Sequence, residues 1–208
     1  LTHSSGLRPG LDLESEWSGY DEGVRRALAE MPRNAPGAIF RYSDVNFILL
    51  GEIVRSVSGQ PLDDFARENV FAPLRMNETG FRRVAAASPH HADESIARIA
   101  PTEHGLRGTV HDPTARRMGG VAGHAGVFTT AADLAKFART VLAGKTFPRV
   151  MTAVQSPPAV AIKRAGGFDV DSGYARPRGG LFPVGSFGHP GWAGPFLWVG
   201  PGSQAFSV

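Results

Sequence analysis

The chain has 208 residues, 42% of them hydrophobic, a formal net charge of +3 and no cysteine. That length fits one domain with a real apolar core, and the missing cysteines exclude disulfides and a Cys-ligated zinc. The positive balance sits on scattered arginines, with lysine only at Lys136, Lys145 and Lys163; no clustered basic face for nucleic acid is present, and no segment approaches the roughly 18 apolar residues of a membrane span.

Glycine (26) and proline (16) together make about a fifth of the chain, above the average but short of the disordered range. Long, structured loops between helices are expected. Asp21 to Met31 reads as a helix, with Asp21 as N-cap and Val24, Leu28 and Met31 on one side. A turn from Pro32 to Gly37 leads into Ala38–Tyr42. From Val45 to Val57 apolar residues cover nearly every face, which predicts a buried helix capped by Ser43 or Asp44 and stopped near Gly59. Pro61 opens another helix, with Leu62, Phe65 and Ala66 inward, closed by Ala72-Pro73-Leu74.

Asn77 to Met118 is irregular and carries His90, His91, His104 and His111; loops of this length are usually lids or binding walls. Gly119 to Gly126 holds too many glycines for a helix or strand interior and predicts a tight loop where backbone packs closely. Thr130-Ala131-Ala132-Asp133 has the form of a capping box, and Leu134, Phe137, Ala138, Val141 and Leu142 follow helical spacing up to Gly144 at C′. Three strands close the chain: Leu181–His189, Phe196–Val199 and Gln204–Val208, the last two joined by Gly200-Pro201-Gly202-Ser203. There are no internal repeats. Helices in the middle and antiparallel strands at the end give the class α+β.

Three constellations could carry chemistry. A serine nucleophile has no support within the chain: there is no Gly-x-Ser-x-Gly elbow and no Ser-x-x-Lys. His104, His111, Asp112 and His124 have metal-ligand chemistry, but their spacing matches no helical His pair, and histidines bonded to loop backbone are the commoner reading. Tyr42-Ser43-Asp44 sets a phenol and a carboxylate at the mouth of the central helix. On the local pattern it is a functional triplet or a capped core helix with a flanking aromatic. His189 and Trp192, far along the chain, read equally as strand and sheet-edge residues.

Five motifs in order add a resemblance. Leu1-Thr2-His3-Ser4-Ser5-Gly6-Leu7, the Tyr42 triplet with its apolar helix, Val70–Met76, Gly126–Leu134 and His189-Pro190-Gly191 together resemble the penicillin-recognising serine hydrolases: class C β-lactamases, D-Ala-D-Ala peptidases and related esterases. The resemblance spans nearly the whole chain. It implies a helical region packed on an antiparallel sheet with the site between them, here one domain over 1–208, mainly helical over 1–160 and strands over 161–208. The family's Ser-x-x-Lys would fall before Leu1, so the chain, starting without Met and ending within a strand, is expected to be a fragment incomplete at both ends and inactive alone.

Within that resemblance Tyr42 is the general base or proton shuttle, and His189 stands on the strand lining the site. The backbone N–H of Trp192 is an oxyanion donor, and Asp44 and Gly191 contact substrate. No cofactor and no metal are implied. Three departures shape the expected substrate. Asp44 replaces the usual Asn and, ionised, cannot donate a hydrogen bond. His189 replaces Lys, and Pro190 removes a hydroxyl and an N–H. Within a class of small-molecule ester, amide or peptide substrates, an ester or another acyl substrate is therefore expected before a β-lactam or peptide terminus that bears a carboxylate. A non-catalytic relative that binds peptidoglycan-like ligands is the alternative, and an extracytoplasmic place follows from the family.

Overall fold

A computed structural model describes residues 1–84, 94–144, 151–171 and 179–208. The helices are α1 (Tyr20–Leu28), α2 (Asp44–Ser58), α3 (Leu62–Ala66), α4 (Glu94–Ala97), α5 (Pro113–Arg117) and α6 (Ala131–Ala143). The strands are β1 (Gly80–Phe81), β2 (Val127–Phe128), β3 (Asp169–Val170), β4 (Phe187–Pro190), β5 (Phe196–Gly200) and β6 (Ala205–Ser207). β1 and β2 form a small antiparallel pair, and β3-β4-β5-β6 an antiparallel sheet. The architecture is α+β.

Two apolar clusters build the interior. The first joins the N-terminal segment (Leu7, Leu11, Trp17), α1 (Val24, Ala27), α2 (Val45, Ile48) and the region of α5 (Val110, Ala115, Met118). The second packs Ala138 and Val141 of α6 on Val170, Phe187, Leu197 and Val199 of the sheet. The N-terminal segment is strapped to the segment entering α2: Arg33 N donates to Gly6 O, Gly37 N to Ser4 O, Arg41 N to His3 O and Asp44 N to Pro9 O, at 2.6 to 2.8 Å.

α2 starts and stops where its sequence predicts, with Ser43 at the N-cap position and Gly59 at φ 72° closing it; the expected side-chain cap does not form, because the Ser43 hydroxyl donates to Arg8 O at 2.6 Å. Its expected all-round burial does not hold. Val45, Ile48 and Gly51 are buried, whereas Ile53 is 56% and Val57 83% exposed; the buried positions lie in the first half of the helix and the exposed apolar ones in the second. The same correction applies to α1, which ends at Leu28, before Met31, with both side chains largely exposed, and which is capped by Gly19, not Asp21. α3 follows Pro61 and runs on into a π-helical turn, Arg67–Phe71.

Thr130 caps α6 by accepting from Asp133 N at 3.2 Å. The return half of the box is diverted: buried Asp133 instead accepts from Glu78 N, Thr79 Oγ1 and Lys136 Nζ, tying α6 to the β1 approach. Gly144 at φ 67° ends the helix. The strand expected over Leu181–His189 begins only at Phe187, because Pro183 and Gly185 turn the chain; Leu181 and Val184 are almost fully exposed. The hairpin of β5 and β6 forms as expected around the Pro201–Ser203 turn. No helix among the described residues is long and apolar enough to cross a membrane.

Candidate active site

The two halves of the fold meet at a cavity of about 190 Å³ lined by Tyr42, Phe47, Gly123 and His124 from the helical half and Gly167 and His189 from the sheet half. Tyr42 and His189, distant in sequence, face each other there with ring centroids 6.0 Å apart. No lysine or arginine is among the described residues lining this space.

Tyr42 arrives at the end of the extended approach to α2, the last residue before the N-cap. His189 is carried by β4, where it pairs with Leu197. The strand can approach its neighbour this closely because Gly188 carries no side chain: a Cβ there would lie 2.2 Å from both Leu197 O and the Trp198 ring. β3 pairs with β4 only at Phe187 and Gly188, so Pro190, with no N–H to offer, sits where that edge is open. His189 Nδ1–H donates to Pro190 O at 2.8 Å. A carbonyl only accepts, so this bond fixes the tautomer and leaves Nε2 with its lone pair. Burial, and behind it the Arg164 guanidinium, holds the His189 pKa below the usual imidazole range.

Arg164 is fully buried, paired with the equally buried Asp169 of β3, and lies 5.8 Å over the Phe40 ring. Its Nη2 also reaches the carbonyl of Gly167 on the cavity wall at 3.4 Å. Burial pushes the Asp169 carboxyl up while Arg164 pulls it back. The guanidinium is thus held behind the wall, not within the cavity.

The β4–β5 turn closes through Gly191 N donating to Pro195 O at 2.6 Å. The Gly191 amide is therefore occupied, and the next amide, that of Trp192, follows it out of the strand. The Trp192 side chain is 85% exposed, and its Nε1–H donates to Glu103 Oε1 at 3.2 Å. Glu103 also holds His111 Nε2 through its other oxygen, at 3.0 Å.

The histidine set read from the sequence thus divides. His111 turns to Glu103, whereas His124 Nε2–H donates to Asp112 Oδ1 at 2.8 Å. Asp112 also caps α5, accepting from Ala115 N at 2.7 Å ahead of Pro113 at the first helical position. Burial works to raise the Asp112 carboxyl, but the His124 hydrogen bond and charge and the amides of Ala115 and Thr114 outweigh it and hold it low. Asp44 is raised by burial, with Asp112 adding to the effect and His124 opposing it. Ligand-type atoms of Asp44, Asp112 and His124 lie within 4.8 Å of one another; His124 Nε2 is bonded to Asp112, whereas its Nδ1 is buried without a hydrogen-bond partner among the described residues. His104 has a described backbone only, in the Glu103–Gly105 turn, and His90 and His91 lie outside the described residues.

The glycine loop makes this meeting possible. A Cβ at Gly123 would lie 1.9 Å from Phe47 O and 3.0 Å from Gly51 N, and Gly51 is closed in turn by Gly123. The loop therefore lies directly on α2 and brings His124 beside Asp44. Sequence reasoning missed three contributors: His3, Arg164 and the His124–Asp112 bond as a neighbour of Asp44. The Gly119–Gly126 loop signalled the last; nothing periodic signalled the others.

A family model described as Beta-lactamase matches residues 1–207, and the chain belongs to this family of penicillin-recognising serine hydrolases. It is 37% identical over 121 residues to a protein of Escherichia coli (strain K12) whose name proposes a D-alanyl-D-alanine carboxypeptidase, a match taking in 52% of this chain and 28% of that protein. Among solved structures it is similar to a penicillin-binding protein homolog from Caulobacter crescentus, with TM-score 0.68 and 19% identity, covering 99% of this chain and 62% of that one. It is also similar to EstCE1, a hydrolase with promiscuous acyltransferase activity, with TM-score 0.64 and 20% identity, covering 99% and 64%. At these identities the structural likeness establishes a β-lactamase/transpeptidase-like fold. The chain spans less than half the length of the curated relatives it matches.

Proposed function

We propose that this chain supplies the tyrosine and the substrate-facing strand of an acyl-enzyme serine hydrolase, acting on an ester or another acyl substrate that carries no carboxylate beside the scissile bond. One observation carries the reading: Tyr42 and His189 line one cavity, rings 6.0 Å apart, and no lysine or arginine is among the described residues that line it with them.

Tyr42 is the general base or proton shuttle in this reading. A phenol of pKa about 10 needs a cation beside it to work near neutral pH. In the family that cation is the lysine of Ser-x-x-Lys; the motif does not occur in this sequence, so nucleophile and lysine belong to the length of the relatives that the chain does not span. The serine attacks the acyl carbon, Tyr42 takes its proton, and the tetrahedral oxyanion is met by the Trp192 amide and the amide of the serine. Tyr42 then returns the proton to the leaving oxygen, and water releases the acyl group. Asp44 and Gly191 border the substrate.

His189 is the specificity element. A neutral imidazole presenting Nε2 accepts a hydrogen bond; it does not attract a carboxylate as lysine would. Arg164 cannot substitute, since Asp169 holds it out of the cavity. Loss of carboxylate recognition separates this site from β-lactam and peptide-terminus hydrolysis.

The test is a substrate panel on the full-length protein: short-chain nitrophenyl esters, a chromogenic β-lactam and a peptide ending in D-Ala-D-Ala. Ester turnover exceeding the other two supports the reading. Faster hydrolysis of the peptide would move the assignment to a carboxypeptidase, and binding of peptidoglycan fragments without turnover would favour a non-catalytic relative. An extracytoplasmic place is proposed from the family alone, and cell fractionation tests it.

A further inference from the structure

His3 lies outside every role assigned above, yet it is among the most completely enclosed polar residues described, at 1% exposure. Its ring stacks on that of Tyr42, centroids 4.2 Å apart and planes 25° from parallel. Phe47 and Phe40 close the other sides at 5.0 and 6.0 Å. Its hydrogen bonds bracket the same residue. The backbone N–H of Arg41, one residue before Tyr42, donates to His3 O at 2.8 Å, and the N–H of Ser43, one residue after, donates to His3 Nδ1 at 3.0 Å. The amides of the residues on either side of the phenol are thus both held by one residue, and the ring between them is held by stacking.

Holding this geometry is unfavourable in two ways. His3 has φ 55°, in the left-handed region that is uncommon for any residue but glycine, although His, Asn and Asp enter it more often than the rest. With Nδ1 accepting, the proton sits on Nε2, which is buried and has no partner among the described residues; such an orphan costs about 1–3 kcal/mol. A phenylalanine would fill the space without the orphan. What it could not supply is the acceptor for the Ser43 amide.

We propose that His3 is a positioning residue for Tyr42: its carbonyl, Nδ1 and ring face together set the plane and depth at which the phenol enters the cavity. The ring does this as a neutral imidazole, since protonation of Nδ1 would remove the acceptor. The groups that surround it keep it so. Burial first, then the Arg164 guanidinium and His189, lower its pKa from 6.5 to about 3, against the Ser43 hydrogen bond that raises it. The proposal rests on the catalytic role given to Tyr42, and the experiment separates the two.

In the full-length protein, imidazole ¹⁵N NMR should show His3 as the Nε2–H tautomer, Nδ1 coupled to the Ser43 amide, with shifts flat from pH 8 to 5. Titration of His3 near 6.5, or an Nδ1–H tautomer, would overturn the proposal whatever the enzyme does. In the full-length protein, His3→Asn keeps a short acceptor and tolerates positive φ, so it should retain most of kcat. His3→Leu should lose kcat by about 100-fold, the scale of a catalytic group misplaced by about 1 Å, with KM nearly unchanged. Equal kcat in folded His3→Leu and native protein would also overturn it. If Tyr42→Phe turns over normally, the reading of the site fails, while the nitrogen shifts of His3 still report whether the clamp exists.

Discussion

Removing one partner of the Arg164–Asp169 pair should unbalance the protein more than any surface change. Both side chains are wholly buried, and a buried charge left without its counter-ion destabilises by about 3–5 kcal/mol. Asp169→Leu takes from Arg164 its carboxylate counter-ion while the Gly167 carbonyl and the Phe40 face remain; Arg164→Met leaves Asp169 as an unpaired carboxylate. Asp169 Oδ2 has no hydrogen-bond partner among the described residues, so even in the native pair the carboxylate is incompletely compensated. The double variant Arg164→Met/Asp169→Leu should then be close to neutral, or more stable by about 1–4 kcal/mol. The assay is urea unfolding followed by tryptophan fluorescence, with Trp198 fully buried against Gly188 as the main reporter. At an m-value of about 2 kcal/mol/M, each single variant should lower the midpoint by about 1.5–2.5 M. A loss below about 1 kcal/mol in both single variants would show that the pair is not held dry, and would refute the account of His189 as an imidazole kept neutral partly by that guanidinium.

Gly123→Ala places a methyl group 1.9 Å from Phe47 O; it should destabilise by about 1–3 kcal/mol or more through backbone displacement, measurable by thermal melting. The depressed His3 pKa means that the unfolded chain gains a proton below 6.5 that the folded chain does not take up until about 3. Its contribution is therefore complete above pH 6.5 and is lost as pH falls through that window, at up to about 1.4 kcal/mol per pH unit; His3→Asn should flatten this slope in urea melts at pH 7, 5 and 4. Asp44, raised by burial, behaves oppositely: it favours the folded state below its unfolded pKa and opposes it once ionised, so Asp44→Asn should stabilise at pH 7 and gain nothing at pH 3.

Local signals foretold the elements that local signals can specify. Thr130 and Gly144 delimit α6 because cap and αL chemistry are written in single residues, and Gly59 and the Gly200–Ser203 turn work in the same way. The loop at Gly119–Gly126 was legible as a close approach, but not what it approaches: only the fold puts Gly123 on Phe47. Burial was read less well. Ile53, Val57, Leu28 and Met31 satisfy a helical pattern yet remain exposed, since periodicity names a face without saying what covers it. β3, at two residues, is too short to have a period. Arg164 looks like any scattered arginine, and its burial follows from an ion pair formed across a turn. His3 appeared in the sequence only as part of a motif; its contact with Tyr42 is made by the strap that runs beside residues 33–44.

The most direct measurement of the central claim is kcat of Tyr42→Phe in the full-length protein, on whichever ester the panel shows to be turned over. Phe keeps the ring stacked on His3 and removes only the hydroxyl. The account predicts a fall in kcat of about 10²–10⁴-fold, the range supplied by a positioned acid–base group, with folding unchanged. Turnover within a factor of about two of the native protein would contradict it.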